Sequence, residues 1–346
     1  MGAFISRRLV SSVVVMFIIV TLSFVLVRAV PGNPFAKDRA VDEVAMRNQL
    51  ARYDLNKPIF PIYMPPQEGD RSALPIHFDE PPAEFTLGSV HVMYNPADWG
   101  KTQYFKYIGG LLVGDLGRSF SQDRTVAEII GASLPYSMRL GLQALLVALL
   151  LGVPAGLFAG LKQNKWQDYL AMGTAMIGVS VPSFVLGPVL ILVFSLWLGW
   201  FATGGWESWT DSILPSVALG MYFAAYIARL TRGGTLEIIR QDYIRTARAK
   251  GLVERLVVTR HALKGALLPV VSYLGPAFAG MMTGSVVIEE IFTLPGVGTH
   301  FVRAALARDY NLVLGVLIVY SAMLVVLNLV VDVLYTVLDP RVSYDD

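Results

Sequence analysis

Apolar residues along this chain do not alternate with polar ones. They gather in six blocks, 9–30, 140–161, 171–200, 212–228, 267–288 and 312–338, separated by polar segments of very unequal length. Each block is close to the ~20 residues that a helix needs to cross a bilayer core. In hydrocarbon the backbone must satisfy its own hydrogen bonds, so blocks of this kind are read as helices. The pattern predicts an all-α polytopic membrane protein with six transmembrane helices. The third block carries Gly173, Gly178, Pro182 and Pro188, which predicts a kinked or partly unwound span. Trp197, Trp200 and Trp206 near its end form an expected interfacial belt.

Composition agrees with that solvent. Of 346 residues, 54% are hydrophobic and 16% charged, against roughly 25% charged in an ordinary soluble domain. The first block could be mistaken for a signal peptide, with Val27-Arg28-Ala29 as a cleavage triplet. Its apolar run is longer than a signal core and five blocks follow, so it reads as an uncleaved span. There is no cysteine, and His77, His91, His261 and His300 are scattered, so no metal site and no cofactor is expected in this chain.

The distribution of positive charge sets the orientation. Arg7 and Arg8 precede the first span, and Lys162 and Lys165 follow the second. Residues 229–264 hold nine Lys/Arg against Glu237, Asp242 and Glu254, a net charge of +6. The connection at 201–211 has no Lys or Arg. By the positive-inside rule both termini and the basic loop are cytoplasmic. The expected organisation is a cytoplasmic N-terminus and first span at 1–30, an extracytoplasmic segment at 31–135, and a five-span core at 136–346 containing a loop at 229–266. The outer segment holds seven prolines between Pro58 and Pro82 and many aromatics, among them Phe78 and Tyr94. It reads as an ordered cap with a few short strands or helices, with contact to a delivering protein or the substrate left open.

The basic loop carries the chemistry. Leu236, Ile239, Tyr243 and Ala247 recur at helical spacing, with Arg240, Arg245, Arg248 and Lys250 around them. Gly251 follows as a left-handed stop, and Lys250 stands at the negative end of the helix dipole. A helix from about Thr235 to Lys250 is predicted. On spacing alone it is either a lever docked on a protein or a surface helix facing anionic lipid. Ser180, Ser183, Thr283 and Ser285 are small polar residues in apolar spans, and either line a translocation path or serve hydrogen bonding between helices or close helix packing.

Several motifs then point one way. Arg245-Thr246-Ala247-Arg248-Ala249-Lys250-Gly251-Leu252, with Arg260-His261-Ala262-Leu263 and Ala266-Leu267-Leu268-Pro269 behind it, closely resembles the cytoplasmic loop of peptide-class ABC importer permeases. Val30-Pro31-Gly32-Asn33-Pro34, the run 114–120 (GDLGRSF), Leu134-Pro135-Tyr136-Ser137, Val287-Ile288-Glu289, the run 294–298 (LPGVG), Arg308-Asp309-Tyr310, the run 332–335 (DVLY) and Asp339-Pro340-Arg341 are similar to other segments of that family. The loop departs from the general permease pattern at Arg245 and Thr246, which replace a Glu-Ala pair, and its Leu268-Pro269 falls later.

The resemblance implies a subunit of an ATP-driven importer of oligopeptides or dipeptides that works by alternating access. The loop residues Leu236, Ile239, Asp242, Tyr243, Arg245, Thr246, Ala247, Arg248, Ala249, Lys250 and Gly251 would dock the ATPase. It also implies a second homologous permease, cytoplasmic ATP-binding subunits and an extracytoplasmic binding protein as partners, with membrane lipid around the spans and no nucleic acid. The chain has no G-x-x-x-x-G-K-[ST], H-E-x-x-H or G-x-S-x-G motif, so it is read as non-catalytic, with ATP and Mg on the partner chains. Nickel, opines or sugars remain alternative cargoes, and a nucleotide-independent channel or secondary carrier is the rival class. Outside Arg28 and Asp332 the blocks hold no ionisable residue of the kind ion coupling requires, and Glu289 and Glu290 are expected as solvated or paired end groups.

Overall fold

The computed structural model describes residues 2–29, 43–63, 82, 84–87, 89–93 and 95–338. The motif at 30–34, the run at 339–341, Phe78 and Tyr94 lie outside the described residues. In chain order the elements are α1 (Gly2–Ala29), α2 (Glu43–Arg52), β1 (Ile62–Tyr63), β2 (Glu84–Leu87), β3 (Val90–Met93), α3 (Gln103–Leu112), α4 (Val126–Leu161), α5 (Trp166–Ser180) and α6 (Ser183–Leu190), which runs on as a π-helical turn to Trp197. Then follow α7 (Ile213–Ile238), α8 (Asp242–Ala249), α9 (Glu254–Leu256), α10 (Leu263–Ala266), α11 (Leu268–Ile291), α12 (Val297–Ala307) and α13 (Tyr310–Leu338).

Among the described residues, five helices are long and apolar enough to span, or six if the bent pair α5 and α6 counts as one. That pair falls on the third block, where a kinked or partly unwound span was expected, and its bend is sharper than a simple proline kink. The two arms meet at 102°, because Val181 leaves the helix in an extended conformation ahead of Pro182, whose ring bars continuation. The helices also outrun their apolar blocks. The second begins at Val126 rather than 140, and α7 continues ten residues past Ala228. As a result Arg139, Arg229 and Arg232 lie inside continuous helices, which corrects the reading of nearly charge-free span interiors.

Two compact units are present. The first comprises Met1–Met16, Ser133–Val302 and Val319–Asp346, and the second Phe17–Ala132 with Arg303–Ile318. In the first, Leu140, Ala144, Leu219, Ile227, Met281 and Ile288 belong to the main core. Glycines let α4 and α7 touch backbone to backbone. A Cβ at Gly220 would stand 2.6 Å from the Ala144 carbonyl, and one at Gly152 2.5 Å from that of Ala224. A Cβ at Gly156 would run into the Ala228 carbonyl, and one at Gly160 would sit 2.7 Å from Thr235 Cβ. The paired numbers rise together, so the two helices run parallel. This is the small-residue approach that replaces hydrophobic driving force in lipid.

In the second unit, Phe24 packs among Phe60, Tyr104 and Tyr107, and β1, β3 and β2 form an antiparallel sheet in that order. Asp309 is fully buried and gathers the 119–121 turn. It accepts from the Ser119 hydroxyl at 2.5 Å, the Ser121 hydroxyl at 2.9 Å and the backbone N–H groups of Phe120 and Ser121. Two segments singled out in the sequence, 114–120 and 308–310, thus serve one staple.

Candidate functional site

The basic segment is built on the end of α7. Ile239 and Gln241 close the last α7 turn by donating to the Thr235 and Ile238 carbonyls, and Gln241 itself is extended (φ −70°, ψ 148°). The expected helix over 235–250 is therefore two helices with a turn between. Leu236 belongs to α7 and Ile239 to the turn. The break shifts the buried register, so Ile244 and Ala247 face inward while Tyr243 is 48% exposed. They pack with Val257 and Ala262, flanked by Ile238 and Leu252.

The ends of α8 follow from its residues. Asp242 sits in the first turn, where a carboxylate suits the helix dipole, and its carbonyl accepts from the Thr246 hydroxyl at 3.0 Å. At the other end Gly251 has φ +76° and donates to the Arg248 carbonyl at 2.9 Å, the expected left-handed stop. Arg248 bridges that turn with two bonds to Glu254, at 2.6 and 3.1 Å. Arg248 holds the Glu254 carboxyl below its ordinary range. Asp242, Tyr243, Arg245, Thr246, Arg248, Ala249 and Lys250 are exposed. The Arg245–Asp242 pair, 3.4 Å apart and exposed, adds little.

Two contacts fix the end of α7 from which this helix hangs, and spacing alone did not reveal them. Asp168, 2% exposed, takes a two-pronged bond from Arg232 at 2.7 and 2.7 Å and a third from the Asn164 N–H at 3.0 Å. Arg240 reaches Gln163 Oε1 at 3.3 Å. The α4–α5 turn is thereby clamped to the base of α7. Gly234 lets the α7 backbone meet that of Ala266, and a Cβ at Gly265 would stand 2.7 Å from Ile238 Cδ1. The lone Asp168 at the head of an apolar block was the available signal for the clamp.

The four hydroxyl residues separate. Ser180 and Thr283 are exposed, with hydroxyls bonded to their own helices. Ser183 is half-buried in the first turn of α6. Ser285 is fully buried and donates to the Met282 carbonyl at 2.7 Å. Glu289 is also fully buried, so of the two expected forms, a solvated or a paired end group, the solvated one is corrected. Its Oε2 accepts from Gly298 N–H at 2.7 Å, and Ser137 Oγ accepts from Val297 N–H at 2.9 Å. Glu290 is exposed.

A polytopic helical subunit with a short basic helix clamped beneath its spans is the architecture of an ABC importer permease. Residues 152–344 match the family described as binding-protein-dependent transport system inner membrane component, and the chain belongs to that family. It is a multi-pass inner-membrane, non-catalytic component that works with an ATPase and a binding protein. Along its length it is 44% identical to the oligopeptide transport system permease protein OppB of Salmonella typhimurium, covering 99% of both chains. It is 33% identical to the dipeptide transport system permease protein DppB of Bacillus subtilis, covering 99% of this chain and 98% of that one. A solved chain of the MetNI methionine ABC transporter in an inward-facing conformation has the same fold, with a TM-score of 0.54, 16% identity, and coverage of 61% of this chain and 97% of that one.

Proposed function

We propose that this chain is one of two homologous membrane-spanning subunits of an ATP-driven oligopeptide importer, and that α8 is the lever that seats in the ATPase. The peptide cargo rests on the names of the similar permeases. The lever rests on one observation: α8 turns Tyr243, Arg245, Arg248 and Lys250 outward while Ile244 and Ala247 hold it to its own chain. An element anchored on one face and charged on the other can transmit a push and pair with acidic groups at a groove rim. It needs no reactive group. In this reading the termini and the part of the 229–266 loop that lies beyond the end of α7 are cytoplasmic, and 31–135 is extracytoplasmic. Ser180, Ser183 and Thr283 remain candidates for the path, whereas Ser285 bonds within its own helix.

The test is to purify the tagged chain gently from its native membrane and reconstitute what comes with it. A second permease and ATP-binding subunits are expected, with peptide uptake that needs both ATP and the binding protein. A chain that comes out alone, or uptake that ignores ATP, would refute the proposal.

A further inference from the structure

The middle of α7 presents a polar, aromatic stripe that the packing leaves uncovered. Tyr222 and Tyr226 are 41% and 37% exposed, and Arg229 follows on the same face, also exposed. Spacings of four and three residues stack the three along the helix. Tyr226 lies against Tyr273 of α11 with ring centroids 4.6 Å apart and planes 27° from parallel. The Arg229 guanidinium stands 5.9 Å from the Tyr226 centroid. All four residues lie in the span Trp209–Ile238 or the span Leu268–Ile291.

Lipid is the wrong neighbour for this surface. Phenol hydroxyls and a guanidinium facing hydrocarbon lose water without gaining partners, and cationic residues inside spans face cavities or protein. The stripe lines up with what a peptide offers. Amide groups stack on phenol rings and bond to phenol hydroxyls, and a free C-terminal carboxylate matches the fork of an arginine.

We infer that Tyr222, Tyr226 and Tyr273 form a sliding surface for peptide in the translocation path, and that Arg229 receives the peptide's C-terminal carboxylate. This deepens the importer reading and rests on it.

The chain has no cysteine, so single-cysteine variants can be read in the whole reconstituted importer. Tyr226→Cys and Arg229→Cys should react with a charged thiosulfonate, and saturating peptide should slow that reaction. In Arg229→Cys, uptake of a free-acid peptide should fall about tenfold, the size expected for one lost charge-assisted hydrogen bond. A cationic aminoethyl thiosulfonate should restore most of it and an anionic sulfonatoethyl reagent should not. Arg229→Lys, which keeps the charge without the fork, should lose less uptake than Arg229→Cys. Thiols at 226 and 229 that never react, in any nucleotide state, would mean that lipid or the second permease covers the face, and the inference falls. Equal effects of the two reagents, or unchanged uptake in Arg229→Cys, would overturn it as well. An unmodified importer that hydrolyses ATP but carries no peptide would instead sink the peptide reading itself.

Discussion

Gly251 holds φ +76° with open space where a side chain would begin, so substitution there tests backbone strain without a clash. A β-branched residue in that conformation costs about 1–2 kcal/mol, whereas asparagine tolerates it. Gly251→Val should therefore loosen the exit of α8 and reduce uptake and stimulated ATP hydrolysis about five- to tenfold, while Gly251→Asn stays close to the unaltered importer. Equal behaviour of the two variants would remove the strain explanation. A second residue gives a pH test. Burial raises the Asp54 carboxyl, but hydrogen bonds from Lys106 and Lys57 outweigh it and leave the group below its ordinary 3.8. A lowered folded value means that its contribution is complete above the unfolded value and is lost as pH falls through the folded one. Hydrogen-exchange protection in α3, corrected for the intrinsic rate, should accordingly fall as pH drops below about 4. Asp54→Asn should exchange faster at neutral pH and lose that acid dependence, since asparagine accepts the positive φ of this position. An acid limb unchanged in Asp54→Asn would assign it elsewhere.

Between elements, the contact of α4 with α7 is the most exacting. Gly156 faces the Ala228 carbonyl directly, while Gly173 has nothing within 4 Å of its Cβ position. Gly156→Leu should force the helices apart and lower thermal stability in detergent by at least ~2 kcal/mol, and Gly173→Ala should be silent. Matching melting curves would show that the helices do not meet as described. The Asp168–Arg232 clamp acts on the same helix. Asp168→Ala leaves a guanidinium without its carboxylate and should cost ~2–3 kcal/mol, visible in the same measurement. These devices also show which parts of the fold could be read in advance. The spanning helices were legible because twenty apolar residues in hydrocarbon have no alternative to internal hydrogen bonding. Their ends were not, because α7 continues past Ala228 on packing that begins outside the apolar block. Pro182 announced a break but not its 102° angle. The turn before α8 carries neither glycine nor proline, so nothing local marked Gln241. Gly251 was legible because a left-handed stop needs that residue type. Asp168 and Arg232 are 64 positions apart, and only the fold brings them together.

At the scale of the molecule, the number of crossings follows from a relation inside the first unit. Helices α4 and α7 are parallel, since the Gly220–Ala144, Gly152–Ala224 and Gly160–Thr235 approaches advance together along both. Two parallel spans need the chain to return across the membrane between them. The bent pair α5 and α6 must therefore cross once, and a re-entrant loop there would leave α7 running the wrong way. Lys165, between α4 and α5, and Lys250, beyond α7, then share a side, while Glu207, between α6 and α7, lies on the other. The 2.7 Å Asp168–Arg232 bonds and the Arg240–Gln163 contact already place the first two segments at one end. All three positions are exposed, and the absence of native thiols makes each addressable alone. An impermeant maleimide should label Glu207→Cys in intact cells and label Lys165→Cys and Lys250→Cys in inside-out vesicles, as the positive-inside rule requires of the basic loops. The ATPase should shield Lys250→Cys when it is bound to those vesicles. Labelling of Lys165→Cys and Glu207→Cys from the same side would make the bent pair re-entrant, and would break the parallel alignment of α4 with α7 on which the lever's direction of push depends.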